Sequence, residues 1–65
     1  MSFANEFSRA NILLNHMRRY GTLTSVEANI VYSEYFVSLQ MGLLQSFGYK
    51  VKRRKNTDGN YEWYL

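Results

Sequence analysis

The stretch LTSVEANIVYSEYFVSLQMGLLQSFGY, Leu23–Tyr49, decides the fold. Its pattern predicts two short helices joined by a tight turn. Thr24 and Glu27 have the Thr-x-x-Glu spacing of a capping box, in which each side chain accepts a hydrogen bond from the other residue's backbone N–H. We therefore expect the first helix of this pair to begin at Thr24.

The second helix of the pair is expected to run from Ser33, a plausible N-cap, to Phe47. Gly48 follows at the position where a left-handed residue commonly closes a helix. Apolar residues repeat along this helix at i, i+4 and i+7, so one of its faces is committed to a core. These residues are Val37, Met41 and Leu44.

A further helix is predicted before this pair. Asn5 or Ser8 would cap it, Arg18 and Arg19 suit the negative end of its dipole, and Gly21 would stop it. One of its faces is apolar at spacings of three and four residues. That face consists of Ala10, Leu13, Leu14 and Met17, extended by Phe3 or Phe7.

The C-terminal third predicts a β-hairpin. The segment 49–55 alternates between apolar and charged residues, 56–60 is a dense turn signal, and 61–65 alternates again. Tyr61, Trp63 and Leu65 would face the helices, whereas Tyr64 would point outward as a surface contact. Three helices followed by a hairpin give an α+β fold, a helix-turn-helix core with a β-hairpin wing, in a single domain spanning residues 1–65.

Composition limits the possible classes of function. The 65 residues are 46% hydrophobic, which argues against disorder, and they include no cysteine for a disulfide or thiolate metal site. No apolar run is long enough to span a bilayer, and no signal-peptide pattern is present. We expect a soluble cytoplasmic domain without a membrane partner. The net charge of +3 favours an anionic binding partner.

The sequence contains no combination of residues that is typical of an enzyme active site. His16 is the sole histidine and is expected to be a solvated helix residue, because a metal site would need several further ligands. The acidic residues are scattered, and no glycine-rich phosphate loop is present. We therefore expect no enzyme activity, no cofactor, no metal and no small-molecule substrate. The acidic residues are Glu6, Glu27, Glu34, Asp58 and Glu62.

The sequence resembles a group of small phage-type helix-turn-helix proteins with a winged C-terminal hairpin, in a register without gaps from Leu13 to Lys52. The resemblance implies DNA binding in a bacterial host's cytoplasm, with the third helix at the major groove and the wing on the backbone. At two positions where the family typically has arginine, this sequence has Phe36 and Gln40. The matching residues are Leu13, Leu14, Met17, Gly21, Leu23, Thr24, Val26, Glu27, Ala28, Leu44, Gly48, Tyr49, Val51 and Lys52.

A basic segment lies on the first wing strand. Such a cluster is expected to contact the phosphates of double-stranded DNA, and Arg18 and Arg19 would extend it. The alternative is that cations protect an exposed strand edge from pairing with another chain. The segment consists of Lys50, Lys52, Arg53, Arg54 and Lys55.

The outward face of the third helix leaves two functions open. Tyr35, Ser38 and Gln40 are its candidate base-reading residues. An apolar stripe lies beside them, and three explanations for it are open. It is buried within the domain, it forms a homodimer interface, or it docks on another protein. The first function is a DNA-binding regulator or architectural factor, and the alternative is an inhibitor or adaptor that binds a host protein through Phe36, Leu39 and Leu43. The whole stripe is Phe36, Leu39, Leu43 and Phe47.

Overall fold

A computed structural model describes the backbone of residues 3–65 and the side chains of residues 8–65. These residues form α1 (Phe3–Tyr20), β1 (Thr22–Thr24), α2 (Ser25–Tyr32), α3 (Val37–Ser46), β2 (Lys52–Lys55) and β3 (Tyr61–Tyr64). The three strands make a small antiparallel sheet in the order β1-β3-β2, and with the three helices it gives the predicted helix-turn-helix core with a hairpin wing.

The core forms where α1 packs against α3 and where β1 contacts α1 and α2. The apolar face predicted for α1 is buried, as is the inner face of α3, because both helices carry apolar residues at helical spacing. Three partly buried side chains pack against this core, those of Tyr32, Leu43 and Tyr49. The buried apolar residues are Ala10, Leu13, Leu14, Met17, Leu23, Ala28, Val37, Met41, Leu44, Val51 and Trp63.

The capping box at the start of α2 is confirmed. Thr24 Oγ1 accepts a hydrogen bond from the Glu27 N–H at 3.0 Å, and Glu27 Oε1 accepts one from the Thr24 N–H at 2.9 Å. Gly48 follows α3 with φ of +99°, a conformation that glycine adopts at little cost. The start of α2 and the end of α3 therefore each have a local physical cause.

The predicted N-cap of α3 is wrong by three residues, because the N-cap is Phe36 and not Ser33. Ser33 does not begin this helix; it adopts the left-handed conformation, with φ of +53°, and closes α2 by donating its N–H to the Ala28 carbonyl. The Glu34 carboxylate then accepts a hydrogen bond from the Phe36 N–H at 3.0 Å, and α3 begins at Val37. The linker is therefore a structured turn stabilised by Glu34.

The predicted caps of the first helix are also wrong, because α1 begins at Phe3 and includes both Asn5 and Ser8. The predicted extension of its apolar face by Phe3 or Phe7 concerns side chains outside the described residues.

The sheet differs from the prediction in three ways. A strand that was not predicted, β1, pairs Leu23 with Trp63, so β3 is central. The first wing strand begins at Lys52, not at residue 49. Trp63 is buried as predicted, but Tyr61 and Leu65 are 41% and 45% exposed. Tyr61 pairs with Lys55 of β2 and lies beyond the three residues of β3 that pair with β1.

Candidate nucleic-acid interface

The four cations of β2 divide between the two faces of the sheet. Arg53 pairs with Trp63 across the β2–β3 ladder, so its side chain is on the face that meets the helices. Alternation along the strand places Lys55 on this inner face and Lys52 and Arg54 on the outer face. All four are exposed, but only Arg53 and Lys55 are on the side of α3.

Arg53 lies in a groove between α3 and the wing, with a volume of about 380 Å³. Ser38, Gly42 and Gln45 of α3 line the same groove, and a Cβ built on Gly42 would meet no atom within 4 Å. A ligand's backbone therefore has room to approach the helix closely. We call this region the wing groove.

Tyr61 positions the two cations of the inner face. The Arg53 guanidinium carbon is 4.4 Å from the centre of the Tyr61 ring, and Lys55 Nζ is 5.6 Å from it. Such cation–π contacts leave the charged groups accessible while limiting the rotamers that they sample. The inner face of the wing thus presents two oriented positive charges beside α3.

On the outer face of the sheet, one of the two positive charges is paired with a carboxylate. Arg54 Nε donates a hydrogen bond to Glu62 Oε1 at 2.9 Å, and this bond with the Glu62 charge raises the pKa of Arg54 above its usual value. Lys52 occupies this same face, and Lys50 is exposed in the segment that precedes β2. The five predicted phosphate contacts therefore do not form one surface.

The three candidate base-reading residues also separate. Tyr35 and Ser38 are exposed, but Gln40 is only 1% exposed and cannot reach a base. Helical geometry places Gln40 on the inward face with Val37, Met41 and Leu44, and its Oε1 has no hydrogen-bond partner. The prediction that Gln40 reads bases is therefore wrong.

Two residues of the wing groove, Gly42 and Gln45, were not singled out in the sequence. They follow Ser38 at i+4 and i+7, so they form a small and polar stripe on the helix. That stripe was the signal that could have identified them. Gln45 Nε2 donates a hydrogen bond to the Val51 carbonyl at 2.9 Å, so part of its polar capacity is used in holding the wing to α3.

Replacing Gln40 with methionine is expected to raise the thermal unfolding midpoint by a few degrees, because a buried acceptor without a partner costs about 1–3 kcal/mol. DNA affinity should not change. Gln45→Met is the matched control and should lower the midpoint, because it removes the hydrogen bond to Val51. If Gln40→Met kept its fold but lost DNA binding, Gln40 would be a base-reading residue after all.

The apolar stripe on α3 also divides. Phe36 is 66% exposed, as predicted, and Leu39 is 64% exposed, so the domain's own core does not bury them. Leu43 is half-buried and packs against the core, so it offers less surface to a partner than Phe36 and Leu39 do. Phe47 is 47% exposed. Intramolecular burial therefore accounts for Leu43 but not for Phe36 and Leu39.

The prediction of a solvated His16 is wrong. This residue is 8% exposed because it packs between the rings of Tyr20 and Tyr32, with centroid distances of 4.7 Å and 5.4 Å. His16 Nδ1 is hydrogen-bonded to the Tyr32 hydroxyl at 2.6 Å, and Nε2 is 3.9 Å from Glu27 Oε1. The histidine thus joins α1 to α2.

Arg18 and Arg19 lie in the last turn of α1, as predicted, and each contacts an aromatic ring. The Arg18 guanidinium is 5.4 Å from the Tyr49 ring centre, and that of Arg19 is 5.6 Å from the Tyr20 ring centre.

In the described part of the chain, no three histidine, cysteine or acidic side chains are grouped closely enough to hold a metal ion. None of its helices combines the length and apolar character needed to cross a bilayer.

Comparison with known proteins gives no relative from which to assign this interface. No protein-family model, curated protein or solved structure matches the chain significantly.

Proposed function

We propose that this domain binds duplex DNA through the wing groove, as the resemblance to small phage-type winged-helix proteins implies. The observation that carries the proposal is the position of Arg53, which shares one groove with the exposed residues of α3. A winged helix uses the same combination, with a helix at the major groove and a neighbouring wing on the backbone.

In this proposal Arg53 and Lys55 contact phosphates of the DNA. Ser38 and Tyr35 face the edges of the bases in the major groove. Because α3 contains no charged residue and Gln40 is buried, few donors remain to distinguish base pairs. Most of the affinity would then come from the phosphate backbone, which is independent of sequence. The proposal thus describes an architectural factor or a regulator of modest sequence preference.

Binding to random-sequence duplex DNA, measured at low and at physiological salt, tests the proposal. Affinity in the micromolar range should fall steeply with salt, with a log–log slope of roughly −2 to −4 if two to four phosphates are neutralised. Selection from a randomised library should enrich only weak motifs. The absence of binding even at low salt would contradict DNA binding.

A protein partner is the second candidate, and the exposure of Phe36 and Leu39 favours it. Neighbouring apolar side chains left in solvent commonly mark interaction sites. In this role the domain would act as an inhibitor or adaptor.

A further inference from the structure

A second basic surface lies at the outer face of the sheet and the end of α1. Lys50 and Lys52 are exposed, and Val51 between them is buried in the core, so the chain turns both lysines to solvent. Arg18 is exposed in the last turn of α1, and its guanidinium is 5.4 Å from the ring centre of Tyr49, the residue before Lys50. We call Arg18, Lys50 and Lys52 the rear surface.

The charges of the rear surface are not compensated within the sheet. Glu62 is the one acidic residue of the three described strands, and its carboxylate is paired with Arg54 at 2.9 Å. That pair has no net charge, so it does not reduce the positive charge that Lys50 and Lys52 present. The contact of Arg18 with an aromatic ring leaves its guanidinium accessible. The rear surface thus offers three positive charges to an anion.

The rear surface and the wing groove are separated by the sheet. Arg53 pairs with Trp63 and lies on the inner face beside α3, whereas Lys52 pairs with Tyr64 and lies on the outer face. Successive side chains of a strand point to opposite faces. A DNA duplex is a stiff rod, with a persistence length of about 150 bp. A duplex that lies along α3 therefore leaves the rear surface free to contact another polyanion.

We propose that the rear surface binds a second DNA duplex, so that one domain joins two duplexes. This inference rests on DNA binding through the wing groove and specifies how an architectural factor would act. The wing groove holds its duplex more tightly, because α3 adds contacts there that the rear surface lacks. The rear surface contributes phosphate contacts alone, each with a salt slope of about −0.9.

DNA that is already bound supplies the second duplex. Neighbouring segments are the polyanion at the highest local concentration around a domain on DNA. Three phosphate contacts are weak for one copy, but several copies between the same two long duplexes reinforce each other. Bridging should therefore require long duplexes. A duplex of about 15 bp, roughly one and a half helical turns, reports binding at the wing groove.

The test is a capture assay with beads that carry a long duplex. Labelled long duplex is added with the protein at low salt, and the captured label is measured. We expect capture by the wild-type domain and at least about tenfold less by the Lys50→Gln, Lys52→Gln variant, because the losses multiply along the duplex. In this variant the affinity for the short duplex should change by less than about twofold.

Arg9→Gln with Arg19→Gln is the matched control. It removes the same formal charge from α1, at positions that lie beside Tyr32 and outside the rear surface. This variant should capture label as the wild-type domain does. Thermal unfolding is measured first on every variant, and the single substitutions replace a pair that loses its fold.

Three results would overturn bridging while leaving DNA binding in place. Capture that persists in the Lys50 and Lys52 variant would mean that paired copies join the duplexes. A loss of short-duplex affinity equal to that of the Arg53→Gln, Lys55→Gln variant would mean that one duplex contacts both faces of the wing. Short-duplex binding without any capture would leave the rear surface to another anion, which vesicles of anionic lipid would then identify. Absence of short-duplex binding at any salt would instead overturn DNA binding itself, and bridging with it.

Discussion

Removing the two inner-face charges, with Arg53→Gln and Lys55→Gln, is expected to weaken duplex DNA binding for every sequence. The salt slope should flatten by about one unit for each lost phosphate contact. The reason is geometric, since these side chains lie on the sheet face that meets the helices, and Arg53 shares the wing groove with Ser38 and Gly42. Binding isotherms at several salt concentrations measure both quantities.

The matched control is Lys52→Gln with Arg54→Gln. It removes the same formal charge from the same strand, but from the outer face, where Arg54 is already paired with Glu62. We expect a much smaller change in affinity and slope. Equal losses in the two variants would show that DNA responds to net charge alone, and the assignment to the wing groove would be wrong.

Replacing Trp63 with alanine is expected to unfold most of the protein. Trp63 is 5% exposed in the central strand, between Leu23 and Arg53. Truncating a buried aromatic side chain costs about 3–5 kcal/mol. A domain of 65 residues has a total stability of roughly 3–10 kcal/mol, so the change removes a large share of it. Circular dichroism during heating should show a low, broad transition.

Tyr61→Ala is the control for this substitution. Tyr61 lies in the same strand and on the same sheet face, but it is 41% exposed. Its loss should lower the midpoint only slightly. A Trp63→Ala protein that unfolds near the normal temperature would show that the sheet contributes little to the core.

The sequence predicted those features that have a local cause. Thr24 and Glu27 satisfy each other's backbone N–H groups within one helical turn, so their spacing is sufficient to locate the start of α2. Gly48 was identifiable because a left-handed residue is needed where α3 ends. The apolar faces of α1 and α3 followed from helical spacing, and the hairpin from alternation around a dense turn signal.

Features that depend on distant parts of the chain were missed. The strand β1 has three residues, and it forms only because the edge of β3 is available to it. Ser33 has the side chain of an N-cap, but its left-handed backbone closes α2 instead. The burial of His16 depends on Tyr32, sixteen residues away, which the pattern around the histidine does not reveal.

The candidate site was predicted in part, for the same reason. The basic character of β2 is visible in sequence, whereas the division of its cations depends on which face of the strand packs on the helices. Gln40 was predicted to be exposed because its side chain is polar, although its position in the helical repeat is on the inward face. Position in the repeat was the better guide.

The central position of β3 has a consequence for the order of folding. The helices consist of contacts close in sequence, but β1 can pair only when the last element of the chain returns to it, joining Thr22 to Tyr64. Closing so long a loop costs entropy before any strand pairing repays it, so we expect the sheet to form after the helices. Trp63 is the only tryptophan, so its fluorescence should report this final step separately from the helical signal in stopped-flow refolding.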